Sequence, residues 1–188
     1  AQNSITVVGT AVTVSDASAF GGTCLQAYQS TGYVSTPVIP LTELYWTIEC
    51  WFKPDALPAS SYMGVFDYGS AADGLGGLCV VIRYDGLPMC FVAYGLEINV
   101  SGVTVAAGER AHLFVQRSGG KIYIGCKGTV GTNRDVHSLF VGDKGFRIGY
   151  ANVTYNETKA IKIDEWRVFE GEAKYPLSGT YVVPTTPF

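Results

Sequence analysis

The sequence predicts an all-β domain, a two-sheet antiparallel jelly-roll sandwich. Many short β-branched or aromatic runs recur at regular spacing, separated by glycine turns. The composition agrees, with 23 glycines and 13% aromatic residues against 15% charged. Apolar positions recur at helical spacing in one short segment alone. At 188 residues and 47% hydrophobic, the chain is long enough for one core and is not disordered.

The central strand is Thr47-Ile48-Glu49-Cys50-Trp51-Phe52-Lys53-Pro54. Successive side chains of a strand point to opposite faces, so Ile48, Cys50 and Phe52 share the core face. Glu49, Trp51 and Lys53 share the other, and Trp51 implies that this second face is partly covered as well. Pro54 lacks an N–H for the ladder and closes the strand.

In chain order, Ser4 to Gly9 and Ala11 to Ser15 read as a hairpin or opening edge strand broken at Gly9. Phe20-Gly21-Gly22 is a tight turn, Cys24 to Gln29 and Tyr33 to Thr36 are strands, and the central strand runs from Tyr45. Tyr62 to Tyr68 follows, then a loop from Gly69 to Gly77. Asp85-Gly86-Leu87 closes a hairpin between Leu78–Tyr84 and Pro88–Tyr94, because Asp-Gly favours positive φ. Leu96 to Val100 and Val103 to Val105 continue the meander, and Ser118-Gly119-Gly120 joins Ala111–Arg117 to Lys121–Lys127. Val136, Leu139 and Phe140 predict a short helical turn within Asn133 to Asp143. Gly145 to Gly149 is a strand, Ala151 to Lys159 a polar loop, and Ala160 to Phe169 the last strand.

A net charge of −3 offers no basic field for a phosphate backbone, so nucleic acid is not an expected partner. No run approaches the roughly 18 apolar residues of a membrane span, and Ala1-Gln2-Asn3-Ser4 lacks the features of a signal peptide. Cys24, Cys50, Cys79, Cys90 and Cys126 are odd in number and scattered through apolar runs. They read as buried free thiols of a chain folded in a reducing cytoplasm. His112 and His137 have no Cys or Glu partner at zinc spacing, and His112 reads as a hydrogen-bonded sheet histidine. Gly74-Leu75-Gly76-Gly77 lacks the lysine of a phosphate loop. Glu49, Glu165 and Arg167 are expected to meet as an ion pair on neighbouring strands.

Four motifs in order, Phe20-Gly21-Gly22, the central strand, Arg117-Ser118-Gly119-Gly120-Lys121-Ile122-Tyr123-Ile124, and Ile163-Asp164-Glu165-Trp166-Arg167-Val168, carry a resemblance. The chain resembles the laminin-G-like branch of the concanavalin A-like lectin and glucanase jelly rolls. That resemblance implies the carboxylate pattern Glu-x-Asp-x-x-Glu if the chain were a glucanase, and the sequence lacks it, so no enzymatic activity is expected. It also implies a structural calcium ion at Asp164, with carbonyls from the Phe20-Gly21-Gly22 turn.

The closing stretch from Gly171-Glu172-Ala173-Lys174-Tyr175-Pro176 to the terminal Pro187-Phe188 is similar to that of laminin-G-like domains in tailed-bacteriophage virion proteins. The expectation is a domain over 1–174 and an extended tail over 175–188, with Tyr175, Pro184, Pro187 and Phe188 forming a docking arm. The implied role is a non-enzymatic capsid-decoration or tail-associated protein on the virion surface. Its partners would be other virion proteins, itself as a homo-oligomer, and host or environmental glycans. Ligand donors are sought at strand ends and loops, with Tyr68, Asp73, Tyr94, Asn152 and Tyr155 as the principal candidates, and Tyr62, Tyr150 and Asn156 beside them. The alternative is a secreted carbohydrate-binding or adhesion module, for which the sequons at Asn99, Asn152 and Asn156 would be modified.

Overall fold

Runs of β-branched and aromatic residues with period-two alternation become fourteen strands among the described residues of the computed structural model, 5–28, 31–69, 77–92, 96–136, 145–151 and 159–186. They are β1 (Thr6–Gly9), β2 (Val12–Ser15), β3 (Thr23–Tyr28), β4 (Gly32–Ser35), β5 (Tyr45–Pro54), β6 (Tyr62–Tyr68) and β7 (Leu78–Arg83). The second half holds β8 (Pro88–Val92), β9 (Leu96–Asn99), β10 (Ala111–Ser118), β11 (Lys121–Cys126), β12 (Thr129–Asp135), β13 (Phe146–Ile148) and β14 (Ala160–Glu170).

All strand pairs are antiparallel, in the order β12-β11-β10-β5-β14-β3-β4-β13-β6-β7-β8-β9. The path doubles back at β3 and β4, which share only Tyr28↔Gly32, so β12 to β3 form a front sheet and β4 to β9 a back sheet. Ile48, Phe52 and Leu113 of the front pack with Met63, Phe66 and Val80 of the back in one core. At the far end, Thr132 Oγ1 accepts from the Asn99 N–H at 2.9 Å and Arg134 Nε donates to the Glu97 carbonyl at 3.2 Å, which closes β12 against β9.

The central strand is β5, flanked by β10 and β14, and Ile48, Cys50 and Phe52 face the core as expected. All five cysteines are free and buried. Gly119-Gly120 closes β10 onto β11, with Gly119 at φ 61°. Asp85-Gly86 turns β7 into β8, with Gly86 at φ 83° and its N–H on the Arg83 carbonyl at 2.8 Å.

Four expectations are corrected. β1 and β2 do not form a hairpin: β1 pairs with β4 and β2 with β3, because β3 and β4 diverge beyond Tyr28↔Gly32 and each leaves an edge to be paired. Val103 to Val105 is not a strand; the Val103 N–H turns back onto the Val100 carbonyl and the Val105 N–H onto Gly86. Asn133 to Asp135 belong to β12 rather than to a helical turn, because a two-residue turn at Lys127-Gly128, both at positive φ, commits the chain to an antiparallel ladder with β11. Val136 sends its N–H to the Gly120 carbonyl at 2.7 Å, and the rest of the segment expected to be helical, 137–143, lies outside the described residues.

The fourth concerns the tail, whose first part folds back over the outer face of β5 and β10. Tyr175 and Tyr181 are each 8% exposed, and the Tyr175 ring stacks on Phe114 at 4.3 Å. Side chains of the sheet satisfy the tail's backbone. Gln116 accepts from the Tyr175 N–H at 2.9 Å and donates to its carbonyl at 2.8 Å, while Thr47 Oγ1 accepts from the Lys174 N–H at 3.0 Å. Tyr175 is therefore a packing residue of its own domain rather than part of a docking arm. Pro184 is half-buried, and Pro187 and Phe188 lie outside the described residues.

Candidate functional site

Several polar clusters among the described residues could carry chemistry. The first lies under the tail, on the outer face of β5. Glu49 is fully buried there; its Oε1 accepts from Lys174 Nζ at 2.8 Å and pairs with Arg167, and its Oε2 accepts from the Tyr175 hydroxyl. His112 Nε2 lies 3.3 Å from Oε2, and His112 Nδ1 lies 3.0 Å from the Tyr181 hydroxyl. Burial pushes the Glu49 carboxyl up, but hydrogen bonds from His112, Lys174 and Tyr175 and the charge of Arg167 hold it down at about 2. Burial lowers His112 against the pull of Glu49, and burial raises Tyr175 and Tyr181. The assigned state is an ionised Glu49 and a neutral His112 whose Nε2–H donates to the carboxylate while Nδ1 accepts from Tyr181. With Glu49 and His112 sealed from solvent, the cluster fastens the tail to the sheet. Arg167 meets Glu49 as the sequence predicts.

A bulge in β14 makes that meeting geometrically feasible. Asp164 opposes Trp51 and Arg167 opposes Glu49, so Glu165 and Trp166 together oppose Cys50. The extra residue, Glu165 at φ 52°, reverses the alternation and brings Asp164 and Arg167 onto one face. Trp166 turns into the core against Phe66 and Phe146.

The second cluster holds Asp164. Its Oδ2 accepts from the Phe20 N–H and from Arg110 Nη2, both at 2.8 Å, and the Arg110 guanidinium lies 4.2 Å from the Phe20 ring centre and 4.5 Å from that of Trp51. The Phe20-Gly21-Gly22 turn thus gives Asp164 a backbone donor at Phe20. A calcium ion at this oxygen would have to displace Arg110. No group of three or more His, Cys, Asp or Glu side chains gathers in metal-binding range among the described residues.

The third cluster is open, on the outer face of the back sheet. Arg147 of β13 sits between Ser35 of β4 and Asp67 of β6. It grips Asp67, 1% exposed, with Nε and Nη2 at 2.8 and 2.5 Å. The chain after β13 then crosses β6 at Gly64, where a Cβ would come within 2.5 Å of the Ala151 nitrogen; only glycine admits this crossing. The crossing places the Tyr150 ring over Arg147 at 4.2 Å and against Tyr33 at 5.0 Å. A bulge at Val65 puts Tyr62 and Asp67 on one face, and Tyr62 meets Phe91 edge-on at 5.4 Å. Tyr33, Tyr62, Phe91, Arg147 and Tyr150 are all half-buried.

The same bulge removes Tyr68 from the ligand candidates. Tyr68 is fully buried, its ring 4.7 Å from Phe146 and its hydroxyl accepting from the Leu41 N–H at 3.4 Å, because the shifted alternation sends it inward. Asp73, Tyr94, Asn152, Tyr155 and Asn156 lie outside the described residues, as does His137. Tyr33 and Arg147 were not anticipated. Their signal was Arg147 between two apolar residues of a short strand, a charge aimed away from the core.

No protein-family model and no curated protein matches the sequence. Solved structures do match in fold. Domain 4 of AbnA, a GH43 extracellular arabinanase from Geobacillus stearothermophilus, in complex with arabinotriose, superposes with TM-score 0.69 at 16% identity over 89% of this chain and 82% of that one. The receptor-binding domain of botulinum neurotoxin type G gives TM-score 0.66 at 10% identity, covering 90% of this chain and 43% of that one. The binding domain of botulinum neurotoxin DC in complex with SialylT gives 0.70 at 12% identity, covering 92% and 44%. The likeness is one of fold. The chain spans less than half the length of these neurotoxin domains.

Proposed function

We propose that this chain is a non-enzymatic carbohydrate-binding module whose ligand lies on the outer face of the back sheet. The observation that carries the reading is the Tyr33–Tyr150 ring pair, 5.0 Å between centres, set over the Arg147–Asp67 ion pair. Half-exposed rings give a sugar's C–H face a platform, and a guanidinium fixed by a buried carboxylate gives its hydroxyls an oriented donor. The fold likeness supports the class, since AbnA domain 4 was solved with arabinotriose and the type C neurotoxin is described as entering cells through two ganglioside molecules.

The test is a glycan array with the labelled protein, followed by titration of the best binder. Tyr150→Ala and Tyr33→Ala should each weaken binding roughly tenfold, about 1.4 kcal/mol. Retention on no glycan, or full affinity in both variants, would sink the reading.

We infer a narrower setting only from the resemblance read in the sequence between the closing stretch, Gly171 to Phe188, and laminin-G-like domains of tailed-bacteriophage virion proteins. In that setting the module sits on the virion surface as a decoration or tail-associated protein. Mixing it with particles that lack it and counting sedimented copies tests this: saturation at a stoichiometry set by particle symmetry supports the setting, and no association removes it.

A further inference from the structure

One registered row crosses the aromatic face of the back sheet. Ser35 of β4 opposes Arg147, Arg147 opposes Asp67, Asp67 opposes Cys79, Cys79 opposes Phe91 and Phe91 opposes Glu97 of β9. Residues directly opposite one another on neighbouring strands share a face, so all six belong to the outer side. Arg147 and Phe91 are three strand spacings apart, about 14 Å. Each end carries a pair of rings: Tyr150 lies over Arg147 and beside Tyr33, and Phe91 meets Tyr62. A single sugar ring is too short to touch both pairs.

The charges of this face are already matched. Among the described residues, the strands of the back sheet carry two cations, Arg147 and Arg83, and Arg83 opposes Tyr62 on the same side. A carboxylate grips each of them at two points. Arg147 Nε and Nη2 donate to Asp67 at 2.8 and 2.5 Å, and Arg83 Nε and Nη2 donate to Asp85 at 3.0 and 2.6 Å. Asp85 is fixed in turn by the Leu87 N–H at 3.2 Å. Asp67 is 1% exposed, so a ligand carboxylate that drew Arg147 away would leave a buried charge unpaired, the most unfavourable state of such a pair. Glu97, exposed at the far end of the row, adds a repelling charge. A sugar hydroxyl makes no such demand, because it accepts from Nη1, the guanidinium nitrogen that Asp67 does not engage.

We propose that this face takes an uncharged oligosaccharide, laid across the strands from Tyr150 to Phe91, and turns away sialylated and uronate-bearing glycans; this rests on the carbohydrate reading above and names its substrate class. The two ring pairs receive the C–H faces of separate sugars, and the Arg147–Asp67 pair between them orients hydroxyls without offering a free charge.

The test is an array of matched glycans with the full chain: lactose-based trisaccharides ending in galactose or in sialic acid, and xylotriose with and without a glucuronate branch. The uncharged member of a pair should be retained about tenfold more tightly, and its affinity should change less than about twofold between low and high salt, since no ion pair is there to be screened. Asp67→Asn keeps the shape and releases the Arg147 charge, so it should raise retention of the acidic members about tenfold, with a thermal melt to show that it is folded. Should it not fold, the wild-type pairs and the salt series decide. A single sugar ring should bind about tenfold more weakly than the trisaccharide, and Phe91→Ala should erase that difference. Acidic members held as tightly as uncharged ones, strong weakening by salt, or a folded Asp67→Asn with no gain for acidic glycans overturns the uncharged class and leaves the carbohydrate reading standing. A length difference that survives Phe91→Ala overturns the span. Retention of no glycan at all removes the carbohydrate reading and this class with it.

Discussion

Arg167 pairs with Glu49 across β14 and β5 only because Glu165 and Trp166 share a single opposing residue, Cys50. Strict alternation would place Asp164 and Arg167 on opposite faces. With the bulge, Asp164 holds Arg110 at one end of the outer face and Arg167 holds Glu49 farther along it.

Removing the carboxylate while keeping its shape tests how much this pairing stabilises. Glu49→Gln leaves Arg167 and Lys174 facing a neutral group and leaves the Tyr175 hydroxyl and His112 with a poorer acceptor. A loss of about 3 kcal/mol is expected, at the lower end for a broken buried ion pair. Urea unfolding with an unchanged slope measures it; a loss under about 0.5 kcal/mol would contradict the cluster's fastening role.

Acid should unfold the protein in two stages. The folded His112 titrates below its ordinary value, so the unfolded chain binds the proton first and stability falls as pH drops below about 6.5. The folded Glu49 titrates at about 2 against 4.5, so its contribution is complete above about 4.5 and is lost between there and about 2. Melting temperature against pH reads both limbs, and His112→Gln should flatten the upper one. A wild-type curve level from pH 7 to 5 would contradict a neutral buried His112.

Truncation after Lys174 should damage the domain rather than merely detach an arm. Phe114 and Val130 lose their cover, and Glu49 and His112 lose Tyr175 and Tyr181. The milder Tyr175→Ala should cost about 3–5 kcal/mol, the range for a buried aromatic ring. Wild-type stability of the truncated chain in thermal and urea unfolding would refute this.

The thiols should be silent until the fold opens. All five are buried, and burial raises Cys90 and Cys126 to about 12, suppressing the reactive thiolate. A disulfide reagent should titrate none in the native protein within minutes and all five in guanidinium. Prompt labelling of a native thiol would point to local opening at that strand.

Pattern and turn chemistry in the sequence determined the class, the central strand and the hairpins closed at Asp85-Gly86 and Gly119-Gly120. Ile48, Cys50 and Phe52 alternate with polar neighbours, and Gly119-Gly120 permits the backbone that a two-residue turn requires. The Arg167–Glu49 meeting was legible because a charge on an apolar strand needs a counter-charge nearby. Tertiary structure alone decided the parity shifts at Val65 and Glu165, since a bulge depends on which partner strand lies opposite. Those shifts sent Tyr68 into the core and Arg167 onto the outer face. Tertiary structure alone also folded Tyr175 and Tyr181 onto Phe114 and gathered Tyr33, Arg147 and Tyr150 into one patch. Contacts between residues distant in the chain leave no periodic trace in it, because they follow from which apolar faces remain to be covered once the strands have formed.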